Sequence, residues 1–387
     1  MESSYHGSAL LYRLLQHWPP GGLRIVEGNL FPPQTDRRLT AVTHTTLPVG
    51  RSRWLHSRFH DTYAAWLTRR APARLGRLAQ QLGAFAPEAV LTVVHGYSWL
   101  TAAAFAEREH LPLHLIIHDD WPRVVPPNLT ATTDRGLARV YRQAVSRLCT
   151  SPFMAQEYRR RYGVDGEVLY PSRAGGAPAF RGVPARVGQP LARPTIVFAG
   201  TINSPGYVDL LRTVADGVQS VGGRLLIFGP LTRQQAVAAG LHGPTVEIGG
   251  LLSSEMLMQR LREEADVLLV PMSFAEEDAV NMQMGFPSKL TDYTAVGLPM
   301  LVVGPAYCSV VKWAFDNPGV AEVVVNDAPA AIAAAIARLM SDDAHRVQLA
   351  RTALAVGDRQ FAADAARAQF IDALTRCREP DHRGVTA

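Results

Sequence analysis

Short apolar runs alternate along this chain with longer amphipathic stretches, and the alternation predicts its elements directly. In the front half, EAVLTVVHG (88–96) reads as a buried strand, SWLTAAAFAEREH (98–110) as a helix, and LPLHLIIHDD (111–120) as a strand ending in polar residues. TTDRGLARVYRQAVS (132–146) predicts a helix and RLCTS (147–151) a short strand. PFMAQEYRRRYG (152–163) predicts a helix, with Pro152 near its start and Gly163 at its end. The back half repeats the rhythm. Strands are expected at 194–200, 223–229, 245–250, 266–273 and 298–304. Helices are expected at 208–222, 232–240, 253–265 and 287–297, and a last amphipathic helix at 361–378 precedes a frayed tail, 379–387.

A β-α-β-α order predicts parallel sheets covered on both faces. Nine Gly or Pro residues in 171–194 mark a boundary. The fold class expected is α/β: two doubly wound, Rossmann-like domains facing each other across a cleft. Residues 1–192 would form the first and 193–360 the second, with the helix in 361–387 packing back on the first. Ligands in such sheets gather at the carboxyl ends of the strands. The start is unusual, because YHGSALLYRLLQHW (5–18) already reads as turn plus helix. The strand that should precede it is missing or supplied differently, as a late-assigned start codon would give.

Length and composition narrow the classes. A chain of 387 residues suggests two or three domains, and 47% apolar residues argue against disorder. Three widely spaced cysteines (Cys149, Cys308, Cys377) give neither a disulfide framework nor metal-site spacing. No signal-peptide pattern opens the chain, and no apolar run reaches the ~18 residues of a membrane span. A cytoplasmic protein is expected. Charge is uneven: residues 1–190 hold 23 Lys+Arg against 13 Asp+Glu, and 191–387 hold 16 against 21. The basic front could rest peripherally on the inner face of an anionic membrane. Nucleic acid is not expected, since the arginines are scattered without interleaved aromatics. Only two of the 39 basic residues are lysines, Lys289 and Lys312.

No Gly-x-Gly occurs, so the dinucleotide fingerprint and the phosphate loop are both absent; so are a Gly-x-Ser-x-Gly elbow and an Asp-x-Asp metal motif. MGFPSKLTDYTAVGLPMLVVGP (284–305) carries the clearest signal. Pro287 suits a first helical turn and Gly297 a stop. Amides from Gly285 through Phe286 and Ser288 to Lys289 would face out of a helix start, where phosphate binds, with Lys289 as a point charge. Asp292, three residues on, could accept hydrogen bonds from ribose hydroxyls. In the front half, His118 and Asp119 close one predicted strand, and His95 and Gly96 another.

With these residues in place, the chain resembles GT-B-fold retaining glycosyltransferases of the family 4 type. DVLLVPMSFAEED followed by KLTDYTAVGLPMLVV has that family's order, and VEIGGLLSSEMLMQRLREEADVLLVP resembles its nucleotide-base region. The resemblance implies a base held at the turn containing Gly250 and Leu252, and a diphosphate near Gly7, Ser8 and Lys289. It implies a ribose at Asp292 and an acceptor or donor sugar near His118 and Asp119. Where the family often has a sugar-binding glutamate this chain has Met284, so Glu276, Glu277 or Asp278 would take over, and Glu277 is the residue chosen. The turn AGTINSPG (199–206) lacks the family's Arg and Lys. The implied activity is sugar transfer from a nucleotide-diphosphate-sugar donor to an acceptor hydroxyl with retention. No cofactor or metal is required, and the acceptor could be a glycan, a lipid-linked sugar or a small molecule. A non-catalytic GT-B scaffold and a nucleotide-sugar epimerase remain open.

Overall fold

The computed structural model describes residues 6–30, 38–178 and 180–377. The chain divides into two compact units, Met1–Tyr170 with Asp364–Ala387, and Pro171–Ala363. The sequence boundary at 192 and this structural one bracket the Gly/Pro-rich segment, which lies within the second unit.

Unit 1 carries β1 (Arg24–Gly28), β2 (Thr43–Leu47), β3 (Val90–Val93), β4 (Leu113–Ile117), β5 (Ser146–Cys149) and β6 (Glu167–Val168). They form two parallel sheets, β1-β2 and β3-β4-β5-β6. One core serves both: Ile25 of β1, Leu91 and Val93 of β3, Ile116 of β4 and Leu148 of β5 pack with Leu10 and Leu14 from the helix His6–Leu15. Phe370 and Ala373 from the helix Ala363–Thr375 join this core, and Arg376 pairs with Glu167 at 2.6 Å.

Unit 2 carries β7 (Thr195–Ala199), β8 (Arg224–Phe228), β9 (Val246–Gly250), β10 (Val267–Pro271), β11 (Met300–Val303) and β12 (Glu322–Val324). They form one parallel sheet in the order β12-β11-β10-β7-β8-β9. The order reverses beside β7, and a crevice at the carboxyl ends there is where such sheets take ligands. In unit 1, by contrast, no strand among the described residues lies between β1 and β3 in the way β7 lies between β8 and β10. The centre of the six-stranded sheet is covered on both faces: every residue of β7, β10 and β11 is buried, which explains their unbroken apolar sequence.

Several elements differ from the sequence reading. The expected helix 287–297 is only Lys289–Tyr293, because Thr294–Leu298 turn through Gly297 at φ 71°. The helix expected at 132–146 starts earlier, at Pro127, with proline in its first turn. β1, β2, β6 and β12 were not read as strands, since RIVEG and THTTL are too polar to stand out and the other two are very short. The helices His60–Arg69, Leu75–Leu82, Ser309–Asp316, Pro329–Ser341 and Asp343–Gln360 were also unread. The tail 379–387 lies outside the described residues.

Arg346 fastens the Gly/Pro-rich segment to unit 2. It is fully buried, donates to the carbonyls of Val187, Gln189, Leu339 and Met340, and pairs with Asp343 at 2.6 Å. Arg346→Met would fill the space and leave those carbonyls without a donor. A loss of about 3 kcal/mol or more is expected in urea unfolding. A change within experimental error would show that the staple is dispensable.

Candidate active site

In unit 2 the site is built at the ends of β7, β8 and β9. Gly200 N–H continues the ladder to Phe228 O at 2.9 Å, and Gly229 N–H continues it to Gly250 O at 2.9 Å. A Cβ at Gly229 would stand 2.2 Å from Gly200 O, so the two turns approach as closely as backbone allows. Main chain packs directly against main chain there, a closeness that only glycine permits. Gly250 has φ 76°, and Leu252 beside it is half-buried.

Lys289 reaches over these turns. Its Nζ lies 4.1 Å from the centre of the Phe198 ring and 3.0 Å from where a Gly200 Cβ would be. The short helix Lys289–Tyr293 cannot hold itself. Tyr293, four residues on and on the same face, accepts the Ala199 N–H at 2.7 Å, tying the helix to the end of β7. At its other end, Arg173 donates to Thr291 O and Thr294 O, each at 3.3 Å, and pairs with Asp358. A cation there also suits the helix C-terminus. Lys289 is thus aimed by neighbours that carry no charge of their own onto it.

Burial of the amine lowers the Lys289 pKa to about 7, and among the described residues no carboxylate pairs with it. The sequence reading expected Asp292 to accept hydrogen bonds from ribose hydroxyls. Asp292 receives a 3.3 Å hydrogen bond from Thr291 Oγ1. The outward-facing amides expected from Gly285 need correction. Gly285 closes the helix Ala279–Met284 and gives its N–H to Asn281 O at 2.8 Å, while its carbonyl accepts from Ser309. The Phe286 ring is buried against Trp313 and Phe361, and Ser288 is exposed without capping the helix. Met284 is buried in the core. Glu277 is exposed in the turn Glu276–Asp278, and Asp278 accepts a hydrogen bond from Ser204. Gly7 and Ser8 lie in the first turn of the helix His6–Leu15, and their side chains lie outside the described residues.

In unit 1 the ends of β3 and β4 bring three predicted side chains together. Asp119 Oδ2 lies 2.9 Å from His118 Nε2 and 3.1 Å from His95 Nδ1. The two imidazoles stack at 5.1 Å, and Trp121 lies 4.7 Å from His95. Burial alone would raise the Asp119 pKa. Hydrogen bonds from His118 and His95 outweigh it and hold the carboxyl far below the usual range, so it stays ionised. Asp120 points inward, to Arg161 at 2.7 and 2.9 Å and to Tyr158 at 3.1 Å. The structural duty in the His-Asp-Asp run therefore falls to Asp120, while Asp119 pairs with His118 and His95. Trp121 was not read from the sequence; an aromatic directly after that run was the available signal.

The ligand atoms of His95, His118 and Asp119 all lie within 4.8 Å of one another, close enough to share a metal ion. The fit is incomplete, because His118 Nδ1 is buried without a partner, whereas a ligating imidazole normally gives its second N–H to an acceptor. What the trio offers without a metal is an ionised carboxylate orienting two imidazoles.

Comparison with known proteins agrees with this geometry. Residues 193–342 match the family model described as glycosyl transferases group 1, and residues 51–171 match that of glycosyltransferase family 4. Sucrose-phosphate synthase from Thermosynechococcus elongatus is similar in structure, with TM-score 0.68 and 15% identity over 96% of this chain and 93% of that one. HepE from Anabaena, solved with UDP and glucose, has TM-score 0.65 and 13% identity over 96% of each chain. An α,α-trehalose-phosphate synthase from Burkholderia vietnamiensis has TM-score 0.62 and 15% identity over 95% and 98%. No curated protein sequence matches. The fold is the GT-B class of paired Rossmann-like domains. The chain is a glycosyltransferase whose second half matches the group 1 family and whose first half matches family 4.

A desolvated lysine has a consequence for pH. Below about 7 its amine is charged and attracts an anion; above, it is neutral. A nucleotide-diphosphate sugar does not itself ionise near neutrality, so its affinity should fall as pH rises through about 7. Lys289→Arg should bind with no such dependence, because guanidinium stays charged. Calorimetric titration across neutral pH measures both. The folded chain also binds fewer protons here than the unfolded chain between about 7 and the ordinary lysine value of 10.5. Stability should therefore rise with pH in that window, and Lys289→Met should remove the rise.

Proposed function

We propose that this glycosyltransferase takes its sugar from a nucleotide-diphosphate donor and delivers it to an acceptor hydroxyl with retention at the anomeric carbon. The observation carrying this is the Lys289 amine, desolvated and without a carboxylate, held over the bare turns at the ends of β7 and β8. When the anomeric C–O bond breaks, negative charge grows on the departing diphosphate. A fixed cation in a dry site stabilises that charge more than it stabilises the ground state. The acceptor oxygen attacks from the face the diphosphate leaves, and its proton passes to the departing phosphate oxygen. His118, steered by Asp119 together with His95, orients that acceptor. Asp292 binds the ribose, the Gly250–Leu252 turn the base, and Glu277 a sugar hydroxyl in place of the position occupied by Met284. UDP-glucose is the first donor to test, since HepE was solved with UDP and glucose. We place the reaction in the cytoplasm, with no metal or cofactor.

Two mutations separate the roles. Lys289→Ala should lower kcat by roughly 10²–10³, the scale of one preorganised donor, without lowering the melting temperature. Asp292→Asn should raise the donor KM more than it lowers kcat. Near-wild-type turnover in Lys289→Ala would place the diphosphate elsewhere.

The buried Met284 favours a second reading, a scaffold that kept the fold and lost the chemistry. Donor hydrolysis without acceptor decides it: slow release of free sugar is expected of an enzyme, and none of a scaffold. A changed nucleotide sugar in the same assay would indicate an epimerase.

A further inference from the structure

Unit 1 exposes an aromatic and cationic surface along residues 51–77. Trp54 is 37% exposed, and Phe59 and Trp66 are each 46% exposed, although ordinary packing would bury rings of this size. Each carries a guanidinium on its face: Arg53 over Trp54 at 5.7 Å, Arg58 over Phe59 at 4.8 Å, and Arg70 over Trp66 at 5.7 Å. Tyr63 stacks on Trp66 at 5.5 Å and 13°. The rings come from the turn Ser52–His56, the bend after it and the helix His60–Arg69. That helix buries Ala64, Ala65 and Leu67 and turns Trp66 outward.

Charge on this surface is one-sided. Arg51, Arg53, Arg58, Arg69, Arg70 and Arg77 are all exposed. None makes an ion pair among the described residues, whereas arginines elsewhere commonly do, as Arg160 with Glu157 and Arg376 with Glu167. The only acid in the stretch is Asp61, and it pairs with His60 at 2.9 Å. An open depression of about 480 Å³ lies here, bounded by Arg51, Trp54, Tyr63, Trp66 and Arg77. Asn29 spends its amide on Val49 and Gly50, and Tyr63 accepts the Arg51 N–H at 2.6 Å. What remains unmet is positive charge, flanked by exposed indole.

We propose that residues 51–77 seat unit 1 on an anionic lipid bilayer. Trp54, Phe59 and Trp66 would enter the boundary between headgroups and acyl chains, and the arginines would meet lipid phosphates. Indoles and a phenyl ring at the surface beside guanidiniums are the composition that lies flat in a membrane interface. No helix among the described residues is long and apolar enough to cross a membrane, so this contact would be peripheral. Nucleic acid fits less well: the ring faces that would stack on bases are covered by the protein's own guanidiniums. The inference concerns the partner and does not depend on the donor chemistry at Lys289.

Sedimentation with vesicles tests it. Wild type should pellet with vesicles of phosphatidylcholine containing phosphatidylglycerol, remain in the supernatant with phosphatidylcholine alone, and be released by high salt. Trp54→Ser combined with Trp66→Ser, and separately Arg53→Gln with Arg58→Gln and Arg70→Gln, should each weaken binding tenfold or more. Both variants should melt like wild type and keep its donor hydrolysis. Lipids brominated in the acyl chain should quench wild-type tryptophan fluorescence, and less so in the Trp54/Trp66 variant. Wild type left in the supernatant with both vesicle types would overturn the proposal, as would equal binding by wild type and variants. Tryptophan-dependent binding to a short RNA, with none to vesicles, would also overturn it and assign the surface to nucleic acid.

Discussion

Parallel pairing is the constraint from which the rest follows. Every strand in unit 1 and unit 2 runs the same way as its hydrogen-bonded neighbours, so every connection must return across a face of the sheet. Within each sheet all carboxyl ends therefore fall along one edge. Residues distant in sequence meet there without any local motif to announce them: Gly200, Gly229 and Gly250 in unit 2, His95 and His118 in unit 1. The covering helices bury both faces, so that edge is also where backbone turns are left uncovered.

The donor side shows how a weak element becomes a precise one. Five residues of helix carry little stability of their own, yet Lys289 is held to a definite place. Tyr293 hooks the helix to Ala199, and Arg173 closes the end carbonyls. These contacts belong to unit 2 alone and involve no residue that would touch a ligand. The amine they position is largely desolvated and has no carboxylate partner among the described residues. That arrangement costs stability in the empty protein and leaves the charge available to an incoming anion.

Much of this was legible in the sequence, and the omissions have physical causes. The buried strands of unit 2 are nearly pure Val, Leu and Ile, so they announce themselves. RIVEG and THTTL do not, because β1 and β2 are only partly covered. Lys289 stood out because lysine is rare in this chain, and Asp119 because a polar run ended an apolar one. The pairing of Asp119 with His95 was not readable, since it depends on β3 and β4 lying side by side in register. Nor could the sequence tell Asp119 from Asp120; only the position of Arg161 separates them. The amides around Gly285 misled because one glycine can end a helix as readily as it opens a site. Met284 reads as a lost ligand in sequence, and its burial makes it a core residue.

The divided sheet of unit 1 bears on how the protein breathes. β1 and β2 form a ribbon joined to the remaining strands through side chains such as Ile25, Leu91 and Val93, not through a continuous hydrogen-bond ladder. A two-stranded ribbon is marginal alone. Its amides should open to solvent in small excursions that leave β4 and the whole of the six-stranded sheet closed. Amide hydrogen exchange would then see a molecule with a soft margin and two hard centres, and the margin includes the turn at Gly50 on which the aromatic surface begins.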